Sequence, residues 1–287
     1  MPIFRSLPEV RPAGPEDHSA LLRFLNHESE VHRHLDWRTP LEWLGAQPFF
    51  LATFERQIHA VLACPADPPQ IAWIRLFAAR GYLEKQAYID MLLEAAQQYI
   101  QSNKMDCQIT AIGLQSWFQE ILSSSGFVNL QSIVVLEWTG NLPPEISSTT
   151  QFEIRPMQLD DLPAVSSLDA AAFEPVWNNS LETLSLAFQQ SALSTVAVNS
   201  DGIIGYQVST AIPLSGHLAR LAVLPQLQHG HIAYALVRDM LAHFKKQGAW
   251  RVTVNTQDDN YASLALYEKI GFRPTGEVFP VYVLPKE

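Results

Sequence analysis

The sequence predicts an α/β protein built from two copies of one arrangement of strands and helices. Apolar strand patterns alternate with amphipathic helix patterns along the chain, and the order of elements restarts near residue 151. A stretch rich in Pro, Ser and Thr separates the two runs. We therefore expect one domain over residues 1–140, a linker over 141–150 and a second domain over 151–287.

Each half contains the same order of elements. The helix over 232–244 shows the reasoning, since Ile232, Leu236 and Phe244 share one face and Gly248 supplies a C-terminal stop. The first half is predicted to contain strand 10–12, helix 15–26, strands 49–54, 58–64 and 72–77, helix 83–101, strand 108–112, helix 115–122 and strand 127–138. The second is predicted to contain strand 154–156, helix 159–173, a hairpin of 194–198 and 203–212, strand 217–223, helix 232–244, strand 250–255 and helix 260–270.

The two halves align at a nearly constant offset, which indicates an internal duplication. Arg75 and Arg220 lie 145 residues apart (220 − 75), and Gly126 and Gly271 give the same value (271 − 126). The copies differ where chemistry is expected. At this offset Tyr267 falls on Leu122, Asn260 on Gln115 and Gly230 on Lys85. The first copy is therefore predicted to be degenerate.

Composition limits the classes of partner. A net charge of −10 over 287 residues argues against a nucleic-acid-binding face, which is basic. The chain has two cysteines, Cys64 and Cys107, which form neither a metal-binding spacing nor a disulfide framework, and no apolar run approaches the ~20 residues of a membrane span. We expect a cytoplasmic protein with no nucleic-acid or membrane partner, and its oligomeric state stays open.

Two local patterns in the second half predict a binding site. Residues 228–233 follow strand 217–223 and open a helix, so their backbone N–H groups can receive a phosphate. Asn260 can cap the next helix, on which Tyr267 shares the inward face with Ser263 and Ile270.

These residues resemble the GNAT family of N-acetyltransferases. The segment from Gln228 to Ala233 is similar to the family's acyl-CoA loop, which has Gln or Arg, two residues, Gly, one residue, then Gly or Ala. Asn260, Tyr267 and the pair Gly271-Phe272 resemble the family's later helix and its ending. The resemblance covers about half of the chain, from Phe152 onward. It implies two tandem GNAT-like domains, as in mycothiol synthase, each a mixed, mostly antiparallel sheet flanked by helices.

The resemblance also implies a reaction and a set of site residues. The co-substrate is acetyl-CoA, the acceptor is a small amine that attacks the thioester directly, and Tyr267 donates a proton to the leaving thiolate. The implied strand edge beside the cofactor is splayed from its neighbour and free to pair with the pantetheine arm. The implied cofactor-binding residues are Leu221, Ala222, Val223, Gln228, His229, Gly230, His231, Ile232, Ala233, Asn255 and Asn260.

Several points stay open at this stage. The general base could be His217, Glu174, Glu182 or Asp169. His231 stands where the family has its inner Gly. We expect its Cβ either to hold the pyrophosphate further off, which would weaken cofactor binding, or to make the loop use Gly230 for a positive φ. The alternative is that His229 and His231 are recruited as phosphate partners.

Alternative interpretations belong to other classes of protein. One is a non-catalytic acyl-CoA-binding or sensing protein, and a less favoured one is an aminoacyl-tRNA-dependent transferase, which would need a basic groove. The segment containing His32 and His34 is interpreted as a solvated face and not as a metal site.

Overall fold

The computed structural model describes residues 8–81, 83–146, 151–228 and 230–286, which fall into two compact units. The first unit combines residues 1–130 with 280–287, and the second comprises residues 131–279. This division differs from the boundaries expected at 140 and 151. The reason is that the last strand of each half of the sequence contributes to the unit formed by the other half, so a boundary placed in the polar stretch between the halves does not follow the contacts.

The described part of the first unit contains a five-stranded sheet and three α-helices. Its elements are β1 (Glu9–Pro12), α1 (His18–His27), β2 (Val31–Arg33), β3 (Phe49–Phe54), β4 (Gln57–Ala63), β5 (Ile71–Trp73), β6 (Leu76–Ala79), α2 (Lys85–Ser102), β7 (Gln108–Ile112) and α3 (Ser116–Ser124). The five-stranded sheet has the order β1-β3-β4-β6-β2. The short strand β5 leaves this sheet and pairs in parallel with β7, and residues 281–283 pair on the other edge of β7.

The second unit is a mixed sheet with helices on both faces. Its elements are β8 (Val128–Trp138, in this unit from residue 131), β9 (Glu153–Pro156), α4 (Leu162–Ala172), α5 (Leu181–Gln190), β10 (Leu193–Asn199), β11 (Gly202–Ile212), β12 (Ser215–Val223), α6 (Ile232–Lys246), β13 (Arg251–Gln257), α7 (Tyr261–Ile270) and β14 (Arg273–Val283, in this unit to residue 279). The strand order is β8-β13-β12-β11-β10-β9. All neighbours are antiparallel except β12 and β13.

One face of this second sheet carries the apolar core that supports α6 and α7. Leu218 of β12, Val254 of β13 and Trp138 of β8 are buried in one cluster with Phe244 of α6 and Tyr267 of α7. Close approach requires glycine at one point, because a Cβ at position 216 would lie 2.7 Å from the Phe244 ring. Burial of this continuous face fixes both helices against the sheet.

Part of the segment predicted as a linker packs against the second unit. Leu142 and Ile146 contact the cluster under α6, the Tyr234 hydroxyl donates to the Pro144 carbonyl at 2.8 Å, and Arg238 Nε donates to the Pro143 carbonyl at 3.0 Å. Residues 141–146 are therefore held by α6. Residues 147–150 lie outside the described residues.

The internal duplication is visible at the level of single contacts. Arg11 of β1 makes a two-fold hydrogen-bonded ion pair with Asp17, and Arg155 of β9 makes the same pair with Asp161. In both units the aspartate also accepts a backbone N–H three residues earlier. The prediction of two related α/β copies is confirmed.

Three elements were not predicted from the sequence, and one predicted strand is divided. The missed elements are β2, α5 and β14. The predicted strand 72–77 is two strands, because residues up to Trp73 pair with β7 whereas residues from Leu76 pair with β4 and β2. The interpretation of the histidine segment as a solvated face is wrong for His32, which is fully buried.

Candidate active site

The two parallel strands of the second unit separate part of the way along their length. Paired residues run from Ser215 opposite Arg251 to Leu218 opposite Val254. Beyond them, β12 continues to residue 223 and β13 to residue 257 without a ladder between the described residues of the two strands. The edge of β12 that faces β13 therefore offers free backbone groups over residues 219–223. This confirms the splay that the sequence resemblance implied.

A β-bulge marks the point of separation. Leu218 pairs with Ser209 and Arg220 pairs with Val208, so Ala219 is the extra residue on β12. A bulge reverses which face successive side chains occupy. Leu218 contacts the cluster under α6, whereas Arg220 reaches Asp169 of α4 on the opposite face.

The positive end of α6 follows the splayed edge of β12. A 3-10 turn at Pro225–Leu227 and Gln228 connect them, and the first turn of α6 begins with the buried Ile232 and the partly buried Ala233. The first N–H groups of a helix have no partner within the helix, so this turn can receive an anion. His229 lies outside the described residues.

One residue of the loop, His231, has a left-handed conformation. His231 is the N-cap of α6 with φ 61° and ψ 10°. A positive φ at Gly230 stays a prediction. A non-glycine residue with this conformation costs about 1–2 kcal/mol.

Tyr267 lies inside the cluster beside the splay. Its side chain is 4% exposed, and its ring centroid is 5.5 Å from that of Phe272. The same cluster contains Leu218 and Val254, the last paired residues before β12 and β13 separate. Burial raises the pKa of the Tyr267 phenol, so the hydroxyl keeps its proton at neutral pH.

Residues of β13 and α7 line the other side of the opening. Asn255 is exposed on the splayed part of β13. Asn260 caps α7, because its side-chain oxygen accepts from Ser263 N at 3.1 Å, and its amide donates to Gln257 Oε1 at 3.3 Å. The cap predicted for α7 is confirmed, and binding roles for these two asparagines stay predictions.

A buried ion pair lies on the other face of the sheet at the bulge. Arg220 donates to both carboxylate oxygens of Asp169 at 2.8 Å, and the fully buried Tyr206 donates to the same carboxylate through its hydroxyl. Sequence reasoning proposed Asp169 as a base and gave Arg220 and Tyr206 no role. The Asp169 carboxylate also accepts the backbone N–H of Asn179. Because a cation and two neutral donors hold this carboxylate, it is not placed to accept a proton from a substrate.

The other candidate bases differ in environment. His217 is half-buried with Nδ1 2.8 Å from Thr253 Oγ1, the residue opposite it on β13, and burial lowers its pKa. Its imidazole is therefore neutral at pH 7 and can accept a proton. Glu174 and Glu182 are exposed. Among the described residues there is no group of three His, Cys, Asp or Glu side chains suited to a metal ion.

Comparison with known proteins finds similarity to one family within this unit. Residues 162–272 match the model of the acetyltransferase (GNAT) family. The chain is 32% identical over 89 residues to N-alpha-acetyltransferase 30 of Schizosaccharomyces pombe and 38% identical over 66 residues to N-acetyltransferase family 8 member 3 of Mus musculus. These matches cover 29% and 23% of this chain, and 59% and 29% of those relatives.

Solved structures resemble both units together. A tandem GNAT protein from the clavulanic acid biosynthesis pathway has a TM-score of 0.63 at 13% identity, covering 97% of this chain and 99% of that chain. A GCN5-related N-acetyltransferase from Sphaerobacter thermophilus has a TM-score of 0.60 at 16% identity, covering 97% and 96%. At this identity the likeness concerns the fold, which is that of two tandem GNAT-like domains. None of the described helices is long and apolar enough to cross a membrane.

Proposed function

We propose that the second unit is an acetyl-CoA-dependent N-acetyltransferase acting on a small amine. The observation that carries the proposal is the free edge of β12 over residues 219–223, with the first turn of α6 following it. An amide-containing arm can add to such an edge as an extra strand, and a diphosphate suits the helix N-terminus. The residues present therefore fit the co-substrate that the GNAT family uses.

This unit offers Tyr267 as a candidate proton donor and contains no cysteine. Bound acetyl-CoA supplies an activated acetyl group as a thioester. The two cysteines, Cys64 and Cys107, both belong to the first unit and are buried, which favours direct attack by the amine over a cysteine-bound intermediate. Tyr267 is proposed as the acid that protonates the leaving thiolate, since burial keeps its hydroxyl protonated.

His217 is the base that the geometry supports best. Its neutral imidazole lies one residue before the splay and on the same sheet face as Arg220. Because burial lowers its pKa from 6.5, activity should rise with pH to a plateau and fall only below pH 6.5. His217→Ala should lower kcat by ~10²-fold and should abolish the fall of activity below pH 6.5. If His217→Ala shows the same fall of activity below pH 6.5 as the parent, another residue is the base.

The relatives suggest which amines to test first. Both relatives named above are N-acetyltransferases, and one is an N-alpha-acetyltransferase. We therefore propose a primary amine acceptor, with small amines and a short peptide α-amine as the first two groups in the assay. The cytoplasmic location expected from the sequence stays a prediction, as does the expectation of no nucleic-acid or membrane partner.

A non-catalytic acyl-CoA-binding protein is the second candidate. The observations that favour it are the small exposed fraction of Tyr267, 4%, and the Cβ-bearing His231 at the N-cap of α6. Titration calorimetry with acetyl-CoA, combined with an assay of free thiol release over an amine library, separates the two. Binding with thiol release that depends on the amine supports the transferase, whereas binding without release from any amine supports the sensor.

A further inference from the structure

A segment between α4 and α5 covers one side of the splay. Arg220 donates to the Trp177 carbonyl at 2.6 Å, which places the segment beside β12. With the Gln131 amide oriented so that its oxygen accepts, Trp177 Nε1 donates to Gln131 of β8 at 2.9 Å. Strand β13 lies between β12 and β8, so this segment spans the sheet face where β13 is no longer paired with β12. We call residues 173–179 the covering segment.

The Asp169–Arg220 pair holds the covering segment at three points. The Arg220 guanidinium lies 3.5 Å from the centre of the Phe173 ring and donates to the Trp177 carbonyl. The Asp169 carboxylate accepts from the backbone N–H of Asn179 at 3.0 Å. The pair is almost removed from solvent, since the side chains are 0% and 14% exposed. A planar guanidinium can make these contacts together, and a lysine ammonium cannot.

We propose that Arg220 and Asp169 are positioning residues that fix the covering segment and thereby set binding of the amine acceptor. This rests on the proposed transferase function. Arg220 lies within the free stretch of β12, but the contacts with Asp169 and with the covering segment are made by its side chain. A change of this side chain therefore keeps the backbone N–H and C=O groups that would pair with the cofactor. Displacement of the covering segment by about 1 Å is expected to weaken acceptor positioning by 10- to 100-fold.

Arg220→Lys tests this role by keeping the charge while losing the planar contacts. The expected result is an acceptor KM raised 10- to 100-fold, an acetyl-CoA Kd within two-fold of the parent, and faster hydrogen exchange in a peptide covering 173–180. A KM within two-fold of the parent, or equal losses of acceptor and acetyl-CoA binding, would overturn it.

Two further measurements keep the test decisive. If Arg220→Lys does not fold, Gln131→Leu removes the partner of Trp177 from a partly exposed position and should raise the acceptor KM in the same direction. If the parent shows no thiol release with any amine, the transferase proposal fails by itself, and exchange at 173–180 still decides whether Arg220 holds the segment.

The first unit carries an independent second inference, because its own strand β2 covers the corresponding edge. There β5 and β7 pair only from Ile71 to Trp73, and β6 then diverges. Val31, His32 and Arg33 pair with the edge of β6, and His34 N donates to the Arg75 carbonyl at 3.0 Å. The His32 ring stacks on Phe118 at 3.9 Å and its Nε2 lies 3.1 Å from the Ile74 carbonyl.

In the first unit, carboxylates lie near the N-terminus of α2, the position that corresponds to the proposed phosphate site at α6. Glu84 is the N-cap of α2, Glu30 pairs with Lys85 at 2.7 Å, and Glu28 accepts the N–H of Gly81 at 2.9 Å. Three carboxylates therefore lie near the helix N-terminus that would receive a phosphate, and one of them already occupies the Lys85 cation. We infer that the first unit binds no acyl-CoA and that the chain takes up one molecule, in the second unit.

Calorimetric stoichiometry tests this inference, which also rests on the proposed function. The parent should bind one acetyl-CoA per chain, and Ala233→Glu, which places a carboxylate at the first turn of α6, should bind none. The matched control is Ala87→Glu at an exposed position in the first turn of α2, which should bind one. Two molecules on the parent, or one on Ala233→Glu, would overturn the inference. No binding by the parent would refute the proposed function. In that case, hydrogen exchange at residues 31–34 as fast as in an exposed loop would refute the inference that β2 covers the edge of β6.

Discussion

Each unit has an arginine at the corresponding position, and the two arginines make different contacts. Arg220 and Arg75 occupy corresponding places, and each anchors the segment that follows the first helix of its unit. In the second unit that segment stays off the strand edge, and Arg220 binds Asp169 and the Trp177 carbonyl. In the first unit the segment becomes β2, and Arg75 binds Asp36 at 2.9 Å. One copy therefore keeps an open edge and the other has closed it with its own backbone.

The largest expected effect comes from the residue that the first unit lacks. Tyr267→Phe should lower kcat by ~10²- to 10⁴-fold while leaving acetyl-CoA affinity unchanged, because the ring remains and only the proton donor is lost. Tyr261→Phe, on the exposed first turn of the same helix, is the matched control and should keep parental kcat. A kcat for Tyr267→Phe within two-fold of the parent would remove the acid role.

The next effect concerns the stability of the second unit. Asp169→Ala leaves the Arg220 cation buried without its partner, which should cost about 3–5 kcal/mol in free energy of unfolding. Asp161→Ala breaks a pair whose arginine is 32% exposed and should cost about 1 kcal/mol or less. Urea unfolding of both variants measures the two losses in free energy of unfolding. Equal losses would show that the buried Asp169 pair stabilises the protein no more than the exposed Asp161 pair.

Acid should destabilise the first unit through β2. Burial lowers the pKa of His32 from 6.5 to about 4, so the unfolded chain takes up the proton first as pH falls. The stabilising effect is complete above pH 6.5 and is lost progressively towards pH 4, by about 2 kcal/mol at pH 5. In urea unfolding at pH 7 and pH 5, His32→Phe should lose less stability than the parent. A parental loss no larger than that of His32→Phe would contradict this.

The smallest expected effect lies at the N-cap of α6. His231→Gly removes the strain of a positive φ and adds freedom to the unfolded chain, so the net gain in stability should be on the order of 0.5 kcal/mol. Lys104→Gly, at φ 52° in the first unit, should give a similar gain and leave acetyl-CoA binding unchanged. Thermal unfolding measures both, and a loss of stability in His231→Gly would mean that its side chain contributes contacts that outweigh the strain.

The sequence predicted elements correctly where local residue patterns decide the conformation. The strands at 49–54 and 108–112 are found at the predicted residues, and Gly271 ends α7 with φ 104°. It was wrong where a long-range contact decided the conformation. His32 lies in a charged stretch that looks solvated, yet pairing with Phe77 of β6 buries it. An arginine occurs at the corresponding position of both copies, as Arg75 and Arg220. The partner of Arg220, however, is 51 residues away in the chain.

The amino-acid pattern by itself determined that this protein has two related α/β halves and that the second half carries the tyrosine, the asparagine cap and the loop before α6. These are local signals of periodicity, capping and turn chemistry, so they can be read along the chain. Tertiary structure alone decided that β2 pairs with the strand edge of the first unit, which last strand completes each unit, and that Asp169 is an ion-pair partner. Each of these depends on backbone and charged groups meeting across long sequence separations, where local propensity carries no information.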